Sequence, residues 1–231
     1  MNDERGQDPK ELDRRMKERA QEAFRGHYIS RSQGDSGGGR WLLQRPYKDR
    51  SGWDWTLAAD IVVMKGGRIV VWGDLLPVLF AHYGPFKDPV EVIHWMGGCE
   101  DFGHYVHEKA TIGCQEVVDE YDSDVARFQL LKAIEERRKD PWGGMDRFVE
   151  VVMEAIDHYV EDGSEALAYF LYGQLGFDGM EGFPNLGMVI SPRVYYAHAA
   201  LARLSHLLTQ EKEREHGGQE TEVGGTAQPI G

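Results

Sequence analysis

The sequence is poor in cysteine. Cys99 and Cys114 are its only two, too few for the disulfide framework of a secreted scaffold, and a reducing compartment is expected. Long apolar runs are missing too. Nothing approaches the roughly 20 consecutive residues that cross a bilayer, so no membrane association is expected. The opening MNDERGQDPKELDRR is charged and has no apolar stretch of the kind a secretory signal needs. Phosphate-binding loops are absent as well: there is no G-x-x-x-x-G-K-[ST] and no G-x-G-x-x-G at a strand-to-helix turn. The nearest approach, GDSGGG at 34–39, lacks the trailing lysine and reads as part of a flexible loop, SRSQGDSGGG, over 30–39. No G-x-S-x-G marks a nucleophile elbow, and Gly163-Ser164 reads as a helix cap.

Positive charge is also scarce, with 26 Lys and Arg against 39 Asp and Glu and a formal net charge of −13. The imbalance is local. Residues 1–26 carry seven acids and seven bases, 27–113 ten and nine, and 114–231 carry 22 acids against ten bases. Such a surface repels phosphate backbones, so direct nucleic-acid binding is not expected without a local basic patch. A well-solvated helical surface explains the asymmetry; an acidic face that meets a basic partner is the alternative.

What is present is ample apolar matter: 41% hydrophobic residues, with six Trp, ten Tyr and nine Phe, enough for a sizeable core. Residues 9–25 predict a charged helix with a narrow apolar stripe of Leu12, Met16, Ala20, Ala23 and Phe24. Strand signals follow. Arg40–Arg45 sets Trp41 and Leu43 opposite Leu42 and Gln44, and Leu57–Met64 alternates with the period of two of a pleated strand. Lys65-Gly66-Gly67-Arg68 supplies a hairpin turn, Ile69–Trp72 the returning strand, and Val78–Tyr83 another. The period then lengthens. Asp88-Pro89-Val90-Glu91 is a helix start, with Asp at the cap, Pro at the first helical position and Glu three residues after the cap. Further helices are predicted over 101–111, 117–138, 148–159, from Ser164, and from Ser191-Pro192 with Leu201, Leu204 and Leu208 inward. The expected fold is α+β: a small antiparallel β-meander of about four strands followed by a helical half. A charged N-terminal helix occupies 1–26. A single domain covers 27–209, mainly β over 27–84 and mainly α over 85–209. The Glu-, Gln- and Gly-rich 210–231 reads as a disordered tail.

Two clusters carry candidate chemistry. Cys99, His104, His107 and Cys114 place four soft or borderline ligands within sixteen residues, and a three-residue spacing puts both histidines on one helix face. This supports a zinc or other divalent-metal site, and with it a metal-assisted enzyme. Yet zinc sites pair cysteines at C-x2-4-C, which this spacing does not; two ordinary surface histidines and two buried free thiols are the simpler reading, with no cofactor. The second cluster is Arg40, Trp41, Arg45, Trp53, Trp55 and Trp72, with Lys48 and Arg50 nearby. A basic, aromatic surface of this composition anchors a protein partner or stacks bases; core and edge packing is the competing explanation. Asp60 interrupts an apolar strand, and alternation turns it away from Ile61 and Val63 to the outer face.

The run from Arg40 to Gly113 also resembles a family of phage and prophage proteins. The resemblance rests on RWLLQRP, GGRIVVWGDL, a strand ending AHYG, DPVEVIHWMGG and DFGHYVHEKATIG. In that family an R-x-x-x-x-R-P strand precedes a G-D strand end, a helix with a central Trp and an aspartate-aromatic helix containing Lys. The match covers about a third of the chain and carries over no catalytic residue. It implies a phage protein made in the bacterial cytoplasm that interferes with a host system. The resulting expectation is a non-enzymatic accessory protein whose partner is a host or phage protein.

Overall fold

The computed structural model describes residues 6–35, 38–49, 51–74, 78–81, 86, 88–109, 118–139, 144–180, 183 and 185–219. The chain is α+β and divides into two compact units, 17–115 with 192–231 and 1–16 with 116–191. Each has its own buried residues.

The first unit is built on a five-stranded antiparallel meander in simple chain order: β1 (Tyr28–Asp35), β2 (Gly38–Pro46), β3 (Trp53–Met64), β4 (Arg68–Gly73) and β5 (Val78–Ala81). The period-two strands of the sequence are β2 to β5. Strand β1 is the correction, because its residues 30–35 fall in the segment read as a flexible loop. A Ser- and Gly-rich segment can form an edge strand because pairing there uses only main-chain groups on one side, and the side chains stay in water. Gln33 pairs with Arg40 and Ser32 with Trp41, and the Ser30 hydroxyl donates to Gln44 Oε1 at 2.7 Å. Residues 82 and 83 of the last expected strand, Val78–Tyr83, lie outside the described residues.

Directly paired residues share a face. One face carries Trp41, Leu43, Ile61, Val63, Ile69, Val71 and Val78, all buried. Helices α2 (Pro89–Gly97), α3 (Phe102–Lys109) and the C-terminal helix (Pro192–Gln219) cover it, contributing Val92, Ile93, Met96, Phe102, Val106, Val194, Leu201 and Leu204. Helix α2 starts as its sequence dictates: Asp88 accepts a hydrogen bond from the Val90 N–H at 2.9 Å, and Pro89 occupies the first turn. Its end is set by packing. A Cβ on Gly97 would lie 2.9 Å from Ser205 Cβ and 3.0 Å from the Leu201 carbonyl oxygen and Ala202 Cα, so only glycine lets the two helices approach this closely. His94 Nδ1 and Ser205 Oγ, 2.8 Å apart, tie the same contact. The C-terminal helix continues ten residues past Thr209, into the segment read as a disordered tail; 220–231 lie outside the described residues.

The second unit is mainly helical. The first half of α1 (Pro9–Phe24) belongs to it; the helix starts behind Asp8, whose carboxylate accepts from the Lys10 N–H, and its later turns bury Ala20 and Phe24 in the first unit. Strand β6 (Asp119–Tyr121) pairs antiparallel with β7 (Met188–Ile190). Between them run α4 (Ser123–Lys139), α5 (Met145–His158), a 3-10 turn (Val160–Asp162) and α6 (Ser164–Met180), which breaks its helical backbone at Gly176; the C-terminal helix is α7. The core includes Leu130, Ile134, Phe148, Val151, Val152, Ala155, Leu167, Leu171, Phe183 and Leu186. The helix expected from Val117 starts later, because Asp122 caps Val125 N–H at 2.9 Å and the preceding residues enter the β6–β7 ladder.

Gly97→Ala is expected to lower unfolding stability by about 1–3 kcal/mol, the cost of overpacking a tight contact. Urea denaturation followed by tryptophan fluorescence checks it, since five of the six tryptophans lie in the first unit.

Candidate functional site

The candidate site is the corner of the sheet where β3 enters and β4 leaves. There the strands fall out of step. Leu43 pairs with Ala59, but the next pair is Arg45 with Asp54, so the segment from Trp55 to Ala58 faces Gln44 alone. This is a multi-residue bulge, the device by which a sheet re-aims side chains. Leu57 holds it with a left-handed backbone, φ 58°, which costs a branched residue about 1–2 kcal/mol. The bulge is stapled in place. Asp74 Oδ2 accepts the Leu57 N–H at 2.8 Å, the Asp74 N–H donates to the Ala58 carbonyl at 3.4 Å, and Asp54 Oδ1 accepts the Thr56 N–H at 2.9 Å. That last bond lowers the Asp54 carboxyl below its usual range, helped by the Thr56 hydroxyl and more weakly by Arg45.

The consequence is a concentration of indoles at one end of the sheet: Trp53 is 37%, Trp55 62% and Trp72 46% exposed. On the open face Asp60 pairs with Trp72 across the ladder and receives a two-pronged ion pair from Arg40, whose Nε lies 2.9 Å from Asp60 Oδ1. Asp60 thus faces outward, yet it is nearly buried, and Arg40 neutralises it there.

Arg45 and Trp41 take other roles. The Arg45 guanidinium turns inward, and its Nη2 donates to the Ala23 carbonyl at 2.9 Å. Trp41 lies on the covered face with its ring laid over Gly39, where a Cβ would collide with it. It is a core residue, unavailable for stacking a ligand. Facing was the missing information: alternation fixes which residues share a side, but the helices decide which side is covered.

Behind the bulge sits a residue that carries no motif. His27 is fully buried, 4.7 Å from the Phe24 ring, with neither ring nitrogen hydrogen-bonded. Burial pushes its pKa down, and the Arg45 cation adds to this. The His27 carbonyl accepts from Arg203 Nε at 2.8 Å, which anchors the α1–β1 turn to α7. Gln44 Nε2 and Arg45 Nε, on the strand facing the bulge, are likewise buried without partners. Only the Gly26-His27 turn hints at such a cluster in the sequence.

Of the Cys/His cluster, only Cys99 is described together with its side chain. Cys99 is half-buried after α2, and burial pushes its thiol pKa up, away from thiolate chemistry. His104 and His107 belong to α3, one turn apart, but their side chains and all of Cys114 lie outside the described residues. Among the described residues no group of three His, Cys, Asp or Glu side chains converges to hold a metal ion. Of the neighbouring bases, Lys48 is exposed and Arg50 lies outside the described residues.

Comparison with protein-family models, with curated proteins and with solved structures finds no match.

Two expectations follow. Asp74→Ala removes the acceptor of the Leu57 N–H and should cost about 1 kcal/mol of stability, with a change in the fluorescence of the corner indoles. The second concerns acid. His27 and His198, the latter stacked on Phe102 at 4.5 Å, both have folded-state pKa values lowered from 6.5, chiefly by burial. The unfolded chain therefore takes up their protons first. Stability from this source is complete above about pH 6.5 and is lost as the pH falls below it. The urea midpoint should drop between pH 7 and 5, and His27→Gln should flatten that slope.

Proposed function

We propose that this chain is a non-enzymatic accessory protein that binds a partner protein through the tryptophan corner of its sheet. One observation carries the reading: three substantially exposed indoles stand at one end of a sheet, beside a bulge held by Asp74 and Asp54. An exposed indole is unfavourable in water and is the most effective anchor in protein interfaces. Here the backbone at Leu57, two residues beyond Trp55, is held in a strained form, as at binding sites that trade stability for presentation. The Arg40–Asp60 pair supplies a polar rim with both signs of charge, which suits a protein surface better than a phosphate chain.

The resemblance of residues 40–113 to phage and prophage proteins supports a setting in the bacterial cytoplasm, with a host or phage protein as partner. The acidic second unit supports one specific form of the role, the blocking of a basic site in a host defence complex that otherwise holds nucleic acid. No helix among the described residues is long and apolar enough to cross a membrane.

The test is capture of partners from bacterial lysate by the tagged full chain, read by mass spectrometry beside Trp55→Ser and Trp72→Ser. One stoichiometric protein bound by the wild type, with affinity reduced about thirtyfold or more by either substitution, is the expected result. Equal capture by all three proteins would remove the corner from the interface. Failure of any protein to bind, with stoichiometric metal retained by the purified chain and lost in His104→Ala, would replace this reading with the metal-assisted one.

A further inference from the structure

A second surface, independent of the tryptophan corner, lies on α6. Surface helices normally turn a charged face to water. Helix α6 does not: from Ser164 to Gly176 its sequence SEALAYFLYGQLG holds a single charge, Glu165. Leu167, Phe170 and Leu171 point into the core of the second unit. On the opposite side Glu165, Ala168, Tyr169 and Tyr172 recur at three- and four-residue spacing and form one continuous stripe. Tyr169 is 85% exposed and Tyr172 55%, the first of these the most exposed large hydrophobic residue described. The stripe does not end at the helix edge. It continues into a groove of about 290 Å³ lined by Glu165, Ala168, Phe183, Asn185, Leu186 and Met188, apolar within and carrying Glu165 as its charged member.

The surroundings select the occupant. Residues 116–191 hold seventeen acids and six bases. Of the bases, Arg127 meets Glu161, Lys132 meets Glu136, and Arg147 bonds Glu150 and Gln174. Arg137 lies over the Phe148 ring. The local field is therefore strongly negative, which repels a nucleic-acid backbone and an anionic lipid surface alike. A second copy of the chain would set two acidic surfaces face to face. What complements an apolar tyrosine stripe within an acidic field is a segment with the reverse pattern, apolar on one side and basic on the other. A lysine or arginine stem fits such a groove, its methylenes on Leu186 and Met188 and its cation at Glu165.

We propose that the α6 face is a docking site for a basic amphipathic helix of a partner protein, with Tyr169 and Tyr172 as its apolar anchors and Glu165 as its cation acceptor. The mode is helix-in-groove recognition. Tyrosine suits it, giving a large contact area with little conformational entropy to lose and a hydroxyl that stays satisfied at the wet edge.

The probe is a fluorescein-labelled leucine–lysine helix of about 14 residues, roughly four turns, titrated against the full chain by anisotropy. A peptide of identical composition with its leucines scattered around the helix is the control. Wild type should prefer the amphipathic peptide. Tyr169→Ser/Tyr172→Ser should weaken binding about tenfold, while Trp55→Ser binds as wild type does, which separates this surface from the tryptophan corner. Glu165→Lys, at an exposed helix position, should also weaken binding and keeps the test decisive if the double variant melts early. Equal binding of the two peptides, or undiminished binding by the α6 variants, overturns the proposal. So does absence of binding by wild type. Sedimentation showing a wild-type dimer that Tyr169→Ser dissociates would assign the face to self-association and overturn it equally.

Discussion

Closure of one face of the meander is the constraint from which the rest of the first unit follows. Five antiparallel strands joined in simple order bury nothing by themselves; their apolar side needs a cover before they are stable. The cover comes from α2 and α7, held close enough by Gly97 that the backbone of α7 takes the space of a side chain. Once that face is sealed, Trp41 is a core residue and Arg40, Asp60 and Trp72 are left on the other side. The exposed chemistry of the sheet is thus a by-product of which face the helices chose.

The corner of the sheet concentrates local cost. Leu57 sits in a left-handed conformation, and behind it His27, Gln44 and Arg45 keep buried polar atoms without partners. Each is individually unfavourable. They persist because the bulge is held from outside by Asp74 and from inside by the close packing of Phe24 and the α1–β1 turn. Strain of this kind is found where a structure presents a surface for use, and Trp55 lies two residues from it.

Much of the sheet was legible in the sequence, and the reasons are specific. Alternation from Leu57 to Met64 and the Gly66-Gly67 turn identify β3 and β4, and Asp88-Pro89 marks the start of α2 to the residue. Strand β1 escaped because an edge strand with solvated side chains has neither apolar alternation nor β-branched enrichment. The start of α4 was displaced because Asp122 ends one element and caps the next, a choice decided by pairing with a segment nearly 70 residues away. The candidate site was half visible. Composition located its tryptophans, but neither the burial of Trp41, nor the inward turn of Arg45, nor His27 leaves a trace in local sequence, because each is fixed by elements distant along the chain.

The β6–β7 ladder has a consequence for the order of synthesis. Residues 116–191 leave and re-enter the chain through two short strands hydrogen-bonded to each other, closed further by the Ser191 N–H on the Val118 carbonyl and the Ser191 hydroxyl on Glu120. The helical segment is therefore an insertion with its ends clasped, complete as soon as Ile190 leaves the ribosome except for the α1 turns already made. The meander is in the opposite position. All five strands emerge before the insertion with α2 and α3 behind them, yet α7, which completes the cover of their apolar face, is translated after it. For the interval in which the insertion is being made, the nascent chain carries an incompletely covered β-surface, the kind of species that chaperones bind and that aggregates when they do not.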